Sequence, residues 1–181
     1  GGSGNDRVNL GAATSDLVIS SVETVVGSTG TDQITLAAGG ATVTVALVES
    51  VVGGSGSDWA NLGDAGTTIT VRALETLIGG TGTDVVTLGS TSNTVIVAGI
   101  ETLTGGSAND IITLGARGAT MLVSDVETVT GGAGNDRITL GTSGITLTVS
   151  AVESVIGGTG NDSVTLKAGG ATVNVTGVET V

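Results

Sequence analysis

Seven aspartates stand at the sixth position of seven glycine-rich turns: Asp6, Asp32, Asp58, Asp84, Asp110, Asp136 and Asp162. The turns read GGSGND, GSTGTD, GGSGSD, GGTGTD, GGSAND, GGAGND and GGTGND. Carboxylates and backbone carbonyls are hard oxygen donors, the set that calcium takes six to eight at a time. Glycine reaches backbone conformations closed to other residues, so such a turn can aim several carbonyls at one point. The chemistry on offer is cation binding. Its backbone donors are expected around Gly1, Gly27, Gly53, Gly79, Gly105, Gly131 and Gly157 at the first position, and Gly4, Gly30, Gly56, Gly82, Gly134 and Gly160 at the fourth. Two turns depart, with Ser28 at position two and Ala108 at position four. A left-handed backbone at position four would cost Ala108 about 1–2 kcal/mol, so weaker sites are expected beside Asp32 and Asp110.

The rest of the composition agrees. Against 17 Asp plus Glu stand 5 Lys plus Arg, a net charge of −12 over 181 residues. Such a chain repels nucleic acid, whose binding relies on Lys and Arg at the phosphates, and it has no polybasic patch for anionic lipids. No apolar run approaches the roughly 18 residues of a membrane span. The chain has no His and no Cys, and no phosphate-binding GKS or GKT loop. No acid breaks the repeat pattern to stand beside a catalytic partner, so no enzyme is expected.

The elements that carry the turns repeat without insertion or deletion as 1–26, 27–52, 53–78, 79–104, 105–130, 131–156 and 157–181. Val8, Ile34, Ala60, Val86, Ile112, Ile138 and Val164 form one apolar column, and Leu10 through Leu166 form the next, with polar residues between them. This alternation is a half-buried strand. Leu17 and Ile19 mark a second strand, and Val22 heads a third. The fold class expected is all-β, a parallel β-solenoid with one 26-residue coil of three short strands per repeat. Seven coils about 4.8 Å apart would run roughly 34 Å, as a segment of a longer array. The absence of Phe and Tyr and the single Trp and Met suit a narrow coil.

In-register stacking would turn the aspartates into one ladder. Carboxylates at about 4.8 Å repel by about 1 kcal/mol in water and roughly 3.5 kcal/mol at an effective dielectric of 20. A divalent cation between rungs would relieve this, giving one row of up to six inter-coil sites. Without metal, each aspartate would close a hydrogen-bonded Asx turn. A second acidic column, Glu23, Glu49, Glu75, Glu101, Glu127, Glu153 and Glu179, is expected to point outward as a solvated face. Its alternative is a second cation row or a lattice contact. Asp16, Asp64, Asp125 and Trp59 read as surface positions.

The motif G-G-x-G-x-D-x-(Val/Ile)-x resembles the nonapeptide of the RTX, or haemolysin-type, calcium-binding repeats, over about nine residues of each repeat. The resemblance implies a β-roll-like fold with Ca²⁺ between coils, carbonyls from the turns and carboxylates from the seven aspartates. It also implies a secreted or cell-surface bacterial protein exported by type I secretion. RTX arrays place nonapeptides back to back, two per coil, whereas here each repeat holds a single such turn. The function expected is a calcium-binding structural region that folds and stiffens on Ca²⁺: an adhesin stalk, surface-layer or fibre element, with self-association possible. The alternatives are a recognition module for ice, glycan or another copy, and an appendage of a toxin or secreted enzyme.

Overall fold

Strands that are short and apolar on one side only set the architecture. A computed structural model describes residues 1–167 and 172–181; residues 168–171 of the seventh repeat lie outside them. The first repeat gives β1 (Arg7–Asn9), β2 (Ser15–Ile19) and β3 (Thr24–Val26), and the second gives β4 (Asp32–Leu36), β5 (Thr42–Ala46) and β6 (Ser50–Val52). Val, Ile and Leu point in while Thr, Ser and Asn point out, so that Val43 and Val45 of β5 are buried and Thr42 and Thr44 exposed. Branched side chains suit this half-buried pleated surface. The chain is an all-β parallel solenoid.

Its coil is not the one the repeat suggests. Each strand pairs with the strand two places along, β1–β3–β5 in one ten-stranded sheet and β2–β4–β6 in the other. Ser15 lies beside Asp32, 17 residues on, and Thr130 beside Ser150, 20 residues on. A coil is therefore two strands and two turns, and there are about ten coils rather than seven of three strands. Each repeat wraps one and a half coils. Packing gives the reason. The missing Phe and Tyr, read above as suiting a narrow three-strand coil, suit a two-sheet coil better, because facing sheets leave no axial space for a ring to fill. Two flat sheets facing each other close a dry core with aliphatics alone, through Val25, Ile34, Val43, Leu77, Val86 and Ile112. Trp59 stays on the outer face, 45 % exposed.

Because the repeat is one and a half coils, successive copies of any turn fall on opposite edges. Along one edge three turn types alternate: an open turn such as 37–41, a Gly–Asp turn such as 53–58, and a tight turn such as 73–75. The tight turn is the shorter. A coil closed by an open and a Gly–Asp turn brings Thr130 to Ser150, 20 residues on, while one closed by an open and a tight turn brings Asp32 to Glu49, 17 residues on. The tight turn closes through a left-handed residue, at φ 49–65° for Ser21, Leu47, Ala73, Gly99, Asp125, Ala151 and Gly177. Only the glycines take that conformation freely. Leu47 sits there 63 % exposed at φ 54°. Replacing Leu47 with Gly should relieve about 1–2 kcal/mol of strain against about 0.5–1 kcal/mol of added chain entropy. The expected result is a melting temperature higher by roughly 1–3 °C; a lower one in a thermal melt would contradict the strain argument.

Candidate metal centre

The seven aspartates are not one ladder. Asp6, Asp58, Asp110 and Asp162 lie on one edge and Asp32, Asp84 and Asp136 on the other, as the alternating sheets require. On one edge they recur every third coil, about 14 Å apart. Two neighbouring aspartates therefore cannot share an ion, and a single row bridged carboxylate to carboxylate does not form. Among the described residues no three acidic side chains converge.

Each of the six aspartates after Asp6 instead joins three coils. Its Oδ2 accepts the amide hydrogen of the second turn residue, as from Gly54 to Asp58 and Gly132 to Asp136 at 2.8 and 2.9 Å. Its Oδ1 accepts an amide from the open turn of the preceding coil, as from Ala41 to Asp58 and Ala119 to Asp136 at 2.8 Å. Its own N–H donates to a glutamate of the following coil: Glu23, Glu49, Glu75, Glu101, Glu127, Glu153 and Glu179 each accept from the aspartate 17 residues before. Six aspartates are buried; Asp6, whose carboxylate accepts only the Gly2 amide among the described residues, is half-buried. The Ser28 amide holds the Asp32 carboxyl below its usual range against the opposing effect of burial, and Ser15 adds to the lowering.

The glutamates thus do not form a free outward face. Alternation across a strand predicted that direction, but Glu23 and Glu49 precede β3 and β6 and belong to the tight turns. Asp125 likewise is a left-handed tight-turn residue as well as a surface one.

The glycines are explained by close approach between coils. A Cβ on Gly27, Gly53, Gly105 or Gly131 would overlap the carbonyl oxygen of Leu47, Ala73, Asp125 or Ala151 in the next coil, and would also crowd the turn's own aspartate. Asp58 Oδ2 lies 3.1 Å from the Cβ position of Gly53. At the second position, carbonyls of the preceding open turn approach, Leu36 O and Ala37 O above Gly54. At the fourth, open-turn amides do so, Gly40 N against Gly56 and Gly66 N against Gly82. Position four is left-handed at Gly4, Gly56 and Gly134, with φ 112–120°, but not at Ala108. The strain expected at Ala108 is absent, and position four is not left-handed at Gly30, Gly82 or Gly160 either; the junction at Ala108 differs in its facing residues. Ser92 replaces the facing glycine, and the buried Asn93 side chain donates to Thr91 O and Asp110 Oδ1 at 2.6 and 2.8 Å.

A cation would meet carboxylate and carbonyl oxygens here, the hard donors calcium prefers. A carboxylate has about four lone-pair sites, and the two N–H bonds to Asp58, Asp84, Asp136 and Asp162 leave capacity on both oxygens, whereas Asp110 Oδ1 also takes the Asn93 side chain and Asp32 Oδ2 the Ser28 hydroxyl. The donor set fits calcium when one aspartate is combined with carbonyls, and does not fit a pair of neighbouring aspartates.

Two flat parallel sheets joined by turns of this kind define a repeat protein of the β-roll class. Residues 75–96, 97–116 and 124–142 match the RTX calcium-binding nonapeptide repeat, in four copies. The chain therefore carries calcium-binding repeats of the RTX type, and the matched segments, about a third of its length, contain the turns that end in Asp84, Asp110 and Asp136. No curated protein and no solved structure matches the chain.

Proposed function

We propose that the chain is a structural region of a secreted or cell-surface bacterial protein, a spacer, stalk, fibre or surface-layer element stiffened by calcium. The ligands are the seven Gly–Asp turns: the carboxylates of Asp6, Asp32, Asp58, Asp84, Asp110, Asp136 and Asp162, with carbonyls of the turns around them. The observation that carries this reading is the meeting of an aspartate oxygen and a carbonyl of the next coil over the first glycine of every turn. Calcium there would cross-link successive coils through hard oxygen ligands. It would also neutralise acids that, Asp16 aside, line the two edges of the roll. The outer faces are different: among the described strands, Arg7, Asp16, Arg72 and Arg137 are the charges pointing outward. Side-by-side association into a fibre or lattice would use these flat, threonine-rich faces. No catalytic role is proposed.

Circular dichroism and thermal melting in millimolar calcium and in chelator test the reading. A ligand at a hundred times its Kd adds about 2.7 kcal/mol per site, so calcium should raise the melting temperature by several degrees or more. An unchanged spectrum and melting temperature after complete metal removal would overturn the proposal.

A further inference from the structure

We infer that each calcium ion sits between a Gly–Asp turn and the tight turn of the following coil, with the tight-turn glutamate as its second carboxylate. This rests on the calcium reading above and names the partner residues. The two neighbours of a Gly–Asp turn present different groups to its aspartate. On the open-turn side Oδ1 is taken by an amide hydrogen, from Ala41 for Asp58 and from Thr67 for Asp84. Amides reach both sides, since Oδ2 accepts the Gly54 N–H and Glu75 Oε2 the Asp58 N–H, and open-turn carbonyls approach Gly54 as well; what the tight-turn side adds is a second carboxylate. The carbonyl of Ala73 and Asp58 Oδ2 crowd one point over Gly53, and Glu75 Oε2 lies 2.6 Å from the Asp58 amide nitrogen. Two carboxylates are thereby held on one residue's backbone with few cations near them.

Space favours the same junction. The tight turn is the shorter one, so it leaves a notch between its two neighbours. One cavity of about 390 Å³ is bounded by Gly106, Ser107, Asp125 and Glu127; another, of about 490 Å³, lies between Leu47 and Glu49 and the open turn holding Asp64, and reaches the glutamate without touching a Gly–Asp turn. A third, of about 530 Å³, contains Ser21 and Glu23. These notches give an ion and its remaining waters access at the glutamate. The fourth, also about 530 Å³, is lined by both Glu101 and Arg117, and the positive charge in that notch should weaken calcium there. Calcium's acceptance of mixed carboxylate, carbonyl and water ligands suits such a place.

The test uses the 181-residue chain and calcium chloride in isothermal titration calorimetry. Glu49→Gln with Glu127→Gln removes one negative charge from each edge while keeping an oxygen that accepts the aspartate N–H, so the roll is retained; circular dichroism checks this. The expected result is two fewer calcium ions bound per chain, or a loss of at least tenfold in affinity for two of them. Asp16→Asn, on the outer face of β2, should leave stoichiometry and affinity unchanged. Calcium binding unaltered by the glutamate pair overturns the inference and leaves the calcium reading standing. An equal loss in Asp16→Asn also overturns it, because net charge would then explain the effect. No calcium bound to the unaltered chain overturns both.

Discussion

Gly131→Ala is expected to destabilise the roll by about 3 kcal/mol, at the upper end of the usual overpacking range, and to lower its melting temperature by roughly 6–12 °C. Gly131 is buried, and a Cβ there would overlap the Ala151 carbonyl and stand 2.8 Å from Asp136 Oδ2. Its φ lies outside the left-handed region, so alanine is compatible with the backbone conformation. The obstacle is space, and the neighbour is main chain, which cannot rotate away. Relief requires the following coil to lift, stretching the Gly131 N–H bond to Ser150 O, now 2.8 Å. Coils of a solenoid are stable chiefly through nearest-neighbour contacts, so the opening should be local first. Amide exchange should quicken around 131–136 and 150–153 before the rest of the roll. Gly11→Ala is the control, since a Cβ at Gly11 has nothing within 4 Å. Equal melting temperatures for the two variants would refute the close-approach account of these glycines.

The glycine and aspartate columns were legible because each answers a local demand, a turn and a charge. The inward columns were legible for the same reason: strand alternation is local, and Ile34, Leu36, Val43 and Val45 are buried as it requires. Coil size was not. With no insertions, a constant period fixes the distance between every pair of columns, so the step from Asp32 to Glu49 was as regular as the step from Asp32 to Asp58. A finer clue was present. The inward residues Val8, Leu17, Val25 and Ile34 fall at nearly even intervals, two to each coil. That interval is the length of one strand with one turn, and a flat roll needs two such units per coil. The glutamate direction failed because alternation holds within strands and Glu49 lies just outside one. The left-handed tight turn left little trace, because Ser, Leu, Ala and Asp fill five of its seven positions. What enforces that conformation is the packing of its carbonyl on a first-position glycine of the coil before, as Ala151 O packs on Gly131. Such a contact is visible only once the coil is known.

Asp136→Ala is expected to cost about 3–4 kcal/mol in saturating calcium, and Asp136→Asn about 2 kcal/mol, because hydrogen bonds to a charged acceptor contribute roughly 1.5–3 kcal/mol each. The Asp136 carboxylate receives Gly132 N–H at 2.9 Å and Ala119 N–H at 2.8 Å, and is only 1 % exposed. Alanine leaves both half-buried amides without their acceptor. Asparagine keeps one acceptor oxygen but turns an NH₂ group toward the other amide, donor against donor. The position in the roll supplies the contrast. In the 181-residue chain Asp6 is half-buried and accepts from Gly2 at 2.7 Å, with no second amide on its carboxylate among the described residues. Asp6→Asn should therefore cost well under half as much as Asp136→Asn in chemical denaturation. If the aspartates mattered only through the ion, Asp6 and Asp136, which have equivalent tight-turn neighbours in Glu23 and Glu153, would lose the same amount. A ratio near one would assign their stabilising effect to calcium alone; the unequal loss expected here divides it between the ion and the amide of the preceding coil.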